Sequence, residues 1–223
     1  MPESLPEVLP IFPLTGALLL PGGRLPLHIF EPRYRNMAED SLAGAGVLGM
    51  IQPFAKAPVV ATGGEEPGGP EHQPDLYSVG CAGRIEQWQR LPDGRFLILL
   101  EGLARFRVAR ELDLHRGYRR VVADYEEFEV DTSDREADLE TGSLLEALQA
   151  FSESQGLGLE LERLTELPGL TLLNSIAMGL PFPPAEKQAL LEADDLEARQ
   201  SMLLTLLGMG LERQQDGAAP LLN

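Results

Sequence analysis

The spacing of apolar and polar positions along this 223-residue chain changes once, near residue 130. Before that point apolar residues come in short runs broken by turn residues, the pattern of half-buried strands. Leu9 to Leu14, Ala17 to Leu20 and Leu25 to Phe30 are such runs, and Pro21-Gly22-Gly23 separates the second from the third. Pro32 suits the first position of a helix, where its missing N–H has no partner to lose. Tyr34, Met37, Ala38 and Leu42 then share one face of that helix. Val47 to Gln52 resumes as a strand. Residues 53–76 are rich in Pro, Gly and Glu and predict an exposed loop. Strands follow at Tyr77 to Gly80, Arg84 to Gln89, Phe96 to Leu100, Ala104 to Arg110 and Tyr118 to Phe128, with Leu91-Pro92-Asp93-Gly94 as a tight turn among them.

Beyond residue 130 the period becomes helical. Ser133 with Glu136 has the form of a capping box, Leu144, Leu148 and Phe151 form a stripe, and Gly156 can end that helix. Leu159 to Leu167 and Leu172 to Met178 are shorter helical stretches, split by Pro168-Gly169. Pro184 opens another running to Ala193. Asp194 with Glu197 makes a second capping box, ahead of Leu196, Arg199, Leu203, Leu206 and Leu207, and the tail after Arg213 is expected to fray. The pattern predicts an α+β chain. Residues 1–130 form a compact, strongly curved or barrel-like β-sheet subdomain with one inserted helix, and residues 131–223 form a helical bundle of four or five helices.

Charge sharpens the division. Residues 1–128 hold 13 basic and 17 acidic side chains, and residues 129–223 hold 5 and 18, within a total net charge of −17. So acidic a surface repels nucleic acid and anionic lipid, whose binding rests on clustered Lys and Arg. No apolar run approaches the length that crosses a bilayer, no basic start followed by an apolar stretch marks a secretory signal, and a single cysteine excludes an intramolecular disulfide. The expected location is the cytoplasm.

Three segments resemble the amino-terminal substrate-binding domain of Lon proteases. They are LPIFPLTGALLLPGGRLPLHIFEPRYRNM at 9–37, LPDGRFLILLEGLARFRV at 91–108, and LPFPPAEKQALLEADDLEARQSMLLTLL at 180–207. The second contains a Gly-x-x-Arg corner, Gly102 and Arg105. The third contains Lys187, Gln188, Leu190, Leu191 and Glu192 of a Lys-Gln-x-Leu-Leu-Glu helix. The resemblance implies a PUA-like sheet followed by helices, and a free-standing module that recognises polypeptide without cutting it. It also implies partners among unfolded proteins or a partner protein, with an ATP-dependent protease as a further one.

Candidate chemistry is sparse. There is no G-x-x-x-x-G-K-[ST] to cradle ATP phosphates, no G-x-S-x-G and no H-E-x-x-H. Of the two lysines, Lys56 falls in the predicted loop and Lys187 in the family-like helix, and no motif pairs either with a serine nucleophile. His28 reads as a structural histidine in an apolar strand, His72 as a loop residue, and His115 stands apart from both. Cys81 reads as a small buried apolar side chain, and Asp194-Asp195 as acids at a helix start. No enzyme activity, cofactor or metal is expected. For peptide binding the candidates are Leu18, Leu19 and Leu20, with Leu25, Phe30 and Tyr34. Successive strand residues alternate faces, so the three leucines either join the core or present an apolar patch beside the Pro-Gly-Gly turn. An alternative from another class is an RNA- or nucleotide-binding barrel using Arg105, Arg107, Arg110, Arg116, Arg119 and Arg120. Nearby Asp124, Glu126, Glu127 and Glu129 argue for a polar outer sheet face instead.

Overall fold

A computed structural model describes residues 5–54, 74–132, 139–156, 158 and 161–217. The elements run β1 (Val8–Pro13), β2 (Arg24–Ile29), α1 (Pro32–Ala43), β3 (Val47–Ile51), β4 (Val79–Arg90), β5 (Phe96–His115), β6 (Tyr118–Asp124), a 3-10 segment (Glu126–Thr132), α2 (Gly142–Gln155), α3 (Leu161–Leu164), α4 (Gly169–Gly179), α5 (Pro184–Glu192) and α6 (Leu196–Gly217). Pro32 opens α1, which buries Tyr34, Met37, Ala38 and Ser41. Gly156 closes α2 in the left-handed conformation that glycine adopts without strain. The turn before β5 is closed by Gly94 N–H donating to the Leu91 carbonyl at 2.9 Å.

Six strands form one sheet in the order β2-β5-β4-β3-β1-β6, with a further β5–β6 pairing. β5, 20 residues long, serves three neighbours. It pairs with β4 over Phe96–Arg107, with β2 over Phe96–Glu101 and with β6 over Arg107–His115. Register shifts at Ala82/Gly83 and Ile85/Gln87 bend the β4–β5 ribbon. The sheet therefore curls strongly, yet the expected barrel-like closure is not a true barrel. Among the described residues β2 pairs only with β5 and leaves one edge free.

Several elements differ from the sequence expectation. Val79 and Gly80 of the first predicted run join the 84–89 run in one strand, because Gly80 and Gly83 pack closely within the sheet instead of turning the chain. The runs at 96–100 and 104–110 are likewise continuous through Gly102. At Gly102 an added Cβ would lie 2.0 Å from the Leu20 carbonyl oxygen, so only glycine admits the 18–21 segment crossing there. The Ala17 to Leu20 run, predicted as a strand, is irregular. β6 ends at Asp124, whose carboxylate accepts the Glu126 N–H and starts the 3-10 turn. Asp195, not Asp194, caps α6, accepting the Ala198 N–H at 2.7 Å, and α6 continues past Arg213 to Gly217. The Ser133–Glu136 capping box and most of the 53–76 loop lie outside the described residues. The loop's ends are joined by a Pro53–Leu76 bridge.

One buried cluster is built from strand residues such as Leu9, Ile11, Phe106 and Val121. The larger one runs from Phe12 and Leu20 through Met37 and Leu100 to Leu148, Leu173, Leu190 and Leu203. The helices after residue 140 therefore share a core with the sheet. Polar staples cross the same boundary. Lys187 Nζ donates to the Gly16 and Met178 carbonyls. Gln52 donates to the Pro184 carbonyl and Gln188 to the Val79 carbonyl. Asn174 Nδ2 donates to the Pro21 carbonyl at 2.9 Å.

The strongest staple is Arg105, 2% exposed. Its guanidinium donates to both carboxylate oxygens of Asp131 (Nη2 to Oδ1, 2.8 Å), and its backbone N–H donates to Oδ2 at 2.8 Å. Nη1 and Nη2 also donate to the carbonyls of Leu191, Ala193 and Asp194, while the guanidinium lies over the Phe128 ring. Removing one partner strands a buried charge. Asp131→Ala is accordingly expected to cost about 3–5 kcal/mol, read as a lowered denaturant midpoint.

A second knot ties the β5–β6 hairpin to α1. Tyr118 donates to Asp40 at 2.9 Å, and Arg116 pairs with Glu39 and Asp40. Burial first, and Asp40 second, raise the Tyr118 phenol to about 12 from its ordinary 10.0. A raised folded value stabilises the fold fully below pH 10, and that contribution disappears as pH rises through about 12. Unfolding free energies of the parent and Tyr118→Phe are therefore expected to converge between those pH values, measured by denaturant titration.

Candidate functional site

The structure separates the six candidate peptide-binding residues. Leu18, Leu19 and Leu20 are buried core residues, because the irregular 17–20 segment tucks beneath the sheet and α4, and so they offer no exposed patch. Tyr34 is also buried, its ring centroid 4.3 Å from that of Phe12. Leu25 is half-buried on β2. Phe30, just past the end of β2, is 61% exposed.

Strand alternation explains what surrounds Phe30. Along β5, Phe96, Ile98 and Leu100 face the core, whereas Leu97, Leu99 and Glu101 face outward. The register places Pro26 opposite Leu99 and His28 opposite Leu97 on one side, with Gln87 and Gln89 opposite the same leucines on the other. Phe30 extends this face past His28, with ring centroids 6.0 Å apart. The outer face of β2–β5–β4 thus carries Pro26, Phe30, Leu97 and Leu99, bordered by the Arg24–Glu86 ion pair at 2.8 Å. Trp88, 54% exposed, stands on the opposite face of the same ribbon beside Phe96. A surface this apolar on an otherwise strongly acidic chain is suited to docking apolar side chains. The signal for it was present in the sequence as the outward half of FLILLEG, unreadable without the register.

A cleft of about 640 Å³ adjoins this face at the beginning of β2. One wall is Gly22 to Pro26, and the other is a stripe of α4 made of Thr171, Asn174, Ser175 and Met178.

The other candidates occupy structural positions. Arg105 is buried with Asp131, Arg107 pairs with Glu127, Arg116 with Asp40 and Arg119 with Glu111. Most of the arginine series is thus matched by carboxylates and does not form an open cationic surface. His28, expected as a structural histidine in an apolar strand, is exposed on the sheet edge. His115 stands 3.6 Å from Asp40. Lys56 and His72 lie outside the described residues. Burial pushes the Cys81 thiol up, away from the thiolate a nucleophile requires. Burial pushes the Lys187 amine down while two carbonyls hold it. Among the described residues no group of three or more His, Cys, Asp and Glu side chains is placed to hold a metal ion, and no helix is long and apolar enough to cross a membrane.

Comparison with known proteins bears on the family and the fold. Residues 8–208 match the family model for the ATP-dependent protease La (LON) substrate-binding domain. Over 210 residues the chain is 31% identical to Lon protease 2 of Myxococcus xanthus, a match covering 92% of this chain and 24% of that protein. It is also 31% identical to Lon protease of Anaeromyxobacter dehalogenans, over 92% of this chain and 23% of that protein. The chain thus spans about a quarter of the length of these curated relatives. Among solved structures it is similar to a Lon N-terminal domain protein from Xanthomonas campestris, with a TM-score of 0.57 and 24% identity over 90% of this chain and 97% of that one. It is similar too to the N-terminal domain of Mycobacterium avium complex Lon protease, with a TM-score of 0.59 and 16% identity over 90% and 98%. At these identities the structural likeness speaks for the fold alone.

Proposed function

The chain belongs to the Lon substrate-binding domain family, and from that premise we propose that it is a non-catalytic protein-recognition module for exposed apolar segments of unfolded proteins or of a partner protein. The observation that carries this reading is the outer face of β2–β5–β4, where Phe30 and Leu97 are 61% and 41% exposed beside Pro26 and Leu99. Full burial of one large apolar side chain is worth about 1.5–3 kcal/mol; capture through several such contacts, less the cost of association, is reversible and uses no ATP. The family match is to a substrate-binding domain, which supports a role in grip instead of chemistry. By analogy with the relatives, the captured chain is passed to, or withheld from, an ATP-dependent protease.

Calorimetry against a reduced and alkylated globular protein, with its folded form as control, tests the reading. Saturable binding of the unfolded form alone, with a negative heat-capacity change, is the expected result. Combined Phe30→Ser and Leu97→Ser should weaken it at least about tenfold, with little loss of stability because both side chains are exposed. Equal binding of folded and unfolded forms, or none at high micromolar concentration, would remove the proposal. The protease link predicts that saturating amounts change the degradation rate of the same unfolded protein by an ATP-dependent protease.

A further inference from the structure

The free edge of β2 has a definite hydrogen-bonding polarity. Gly102 N–H donates to the Gly23 carbonyl at 2.8 Å, which makes Gly23–Gly102 a bonded pair of the antiparallel ladder. Bonded and non-bonded pairs alternate, so Leu25, Leu27 and Ile29 exchange bonds with Leu100, Ile98 and Phe96. The backbones of Arg24, Pro26 and His28 therefore point away from β5, toward the unpaired edge. Pro26 falls at one of these outward positions, where its missing N–H costs no ladder bond. The edge presents the N–H groups of Arg24 and His28 and the carbonyls of all three residues.

At its Arg24 end the edge forms one wall of the cleft against α4. The cleft's size lies within the roughly 300–1,000 Å³ usual for ligand sites. Asn174 supplies a second, independent indication. It lines the cleft and is 2% exposed. Its Nδ2 is committed to the Pro21 carbonyl, which can only accept, and this fixes the amide orientation. Its Oδ1 is buried and has no partner, an arrangement that costs free energy until a donor reaches it. Met178, an unbranched and adaptable side chain, covers that wall and lies against Gly23.

Resting on the reading of the chain as a protein-recognition module, we propose that an extended segment of the bound polypeptide adds to β2 as a further strand, lying in the cleft between β2 and α4. Arg24 and His28 N–H donate to its carbonyls, its own N–H groups donate to the outward β2 carbonyls, and one reaches Asn174 Oδ1. Main-chain pairing of this kind is indifferent to sequence, while the Phe30–Leu97 face alongside selects apolar side chains. A second copy of the chain is the poorer occupant, because pairing two β2 edges would set a donor-less proline in both strands.

Amide exchange of the full chain with and without the reduced and alkylated protein is the test, together with Ser175→Trp, which fills the cleft from an exposed position on α4. The expected result is slowing of the Arg24 and His28 amides by at least about tenfold on saturation, and a similar loss of affinity in S175W. Binding with both amides unchanged and S175W unimpaired would overturn strand addition while leaving the module reading in place. Slow exchange at Arg24 and His28 in the protein alone would overturn it too, since the edge would already be covered. Absence of any binding would overturn the module reading and this inference with it.

Discussion

The geometry of this fold depends on a single buried guanidinium. Arg105 leaves water completely, a transfer that is unfavourable unless the charge is matched and every donor is used. Asp131 supplies the charge, and the carbonyls at the end of α5 and just beyond take further donors. Because those carbonyls are terminal, with no intrahelical partner of their own, one side chain satisfies the polar groups of a strand, a 3-10 turn and a helix end together. The direction in which α5 leaves the sheet follows from it. Lys187 and Gln188 on α5 then fix the 16–17 segment and β4, and Asn174 fixes α4 against Pro21. The spacing between α4 and β2 is thus inherited, step by step, from an ion pair on a different strand.

Around that frame the distribution of order is uneven in a useful way. The middle of the sheet is packed on both faces, with Leu9 and Phe106 on one side and Leu20 and Leu100 on the other. The ribbon of β2, the first half of β5 and the second half of β4 projects beyond the helices and keeps apolar side chains in solvent. With the base packed on both faces, the under-covered projection needs little reorganisation before anything contacts it.

Much of the architecture was legible in the sequence because it rests on local rules. Pro32 starting α1, the turn at Leu91–Gly94, the Leu144–Leu148–Phe151 stripe and the Gly156 stop are all set by backbone chemistry within a few residues. What was not legible depends on contacts distant in sequence. Leu18 to Leu20 have the composition of a strand, but Gly102 lets their backbone cross the sheet at close range, and the leucines fall inward. Arg105 belongs to an alternating series whose other members are surface ion pairs, and only the approach of Asp131 and α5 distinguishes it. The exposed face was half visible. Phe30 was singled out, whereas Leu97 and Leu99 were hidden inside an apolar run whose inward and outward members separate only once the β2–β5 register is known. His28 belongs to the same outward set, because β2 alternates and lies at the sheet edge.

The shared core also bears on how the chain is made. β1 precedes its antiparallel partner β6, which ends at Asp124, and the leucines at 18–20 are covered in part by helices that follow residue 168. Until those later segments are made, the nascent sheet carries an uncovered apolar surface and a strand β1 paired on one side only, with β3, a state prone to misassociation. Proteins that shield nascent chains would have to occupy that surface until α4 to α6 emerge.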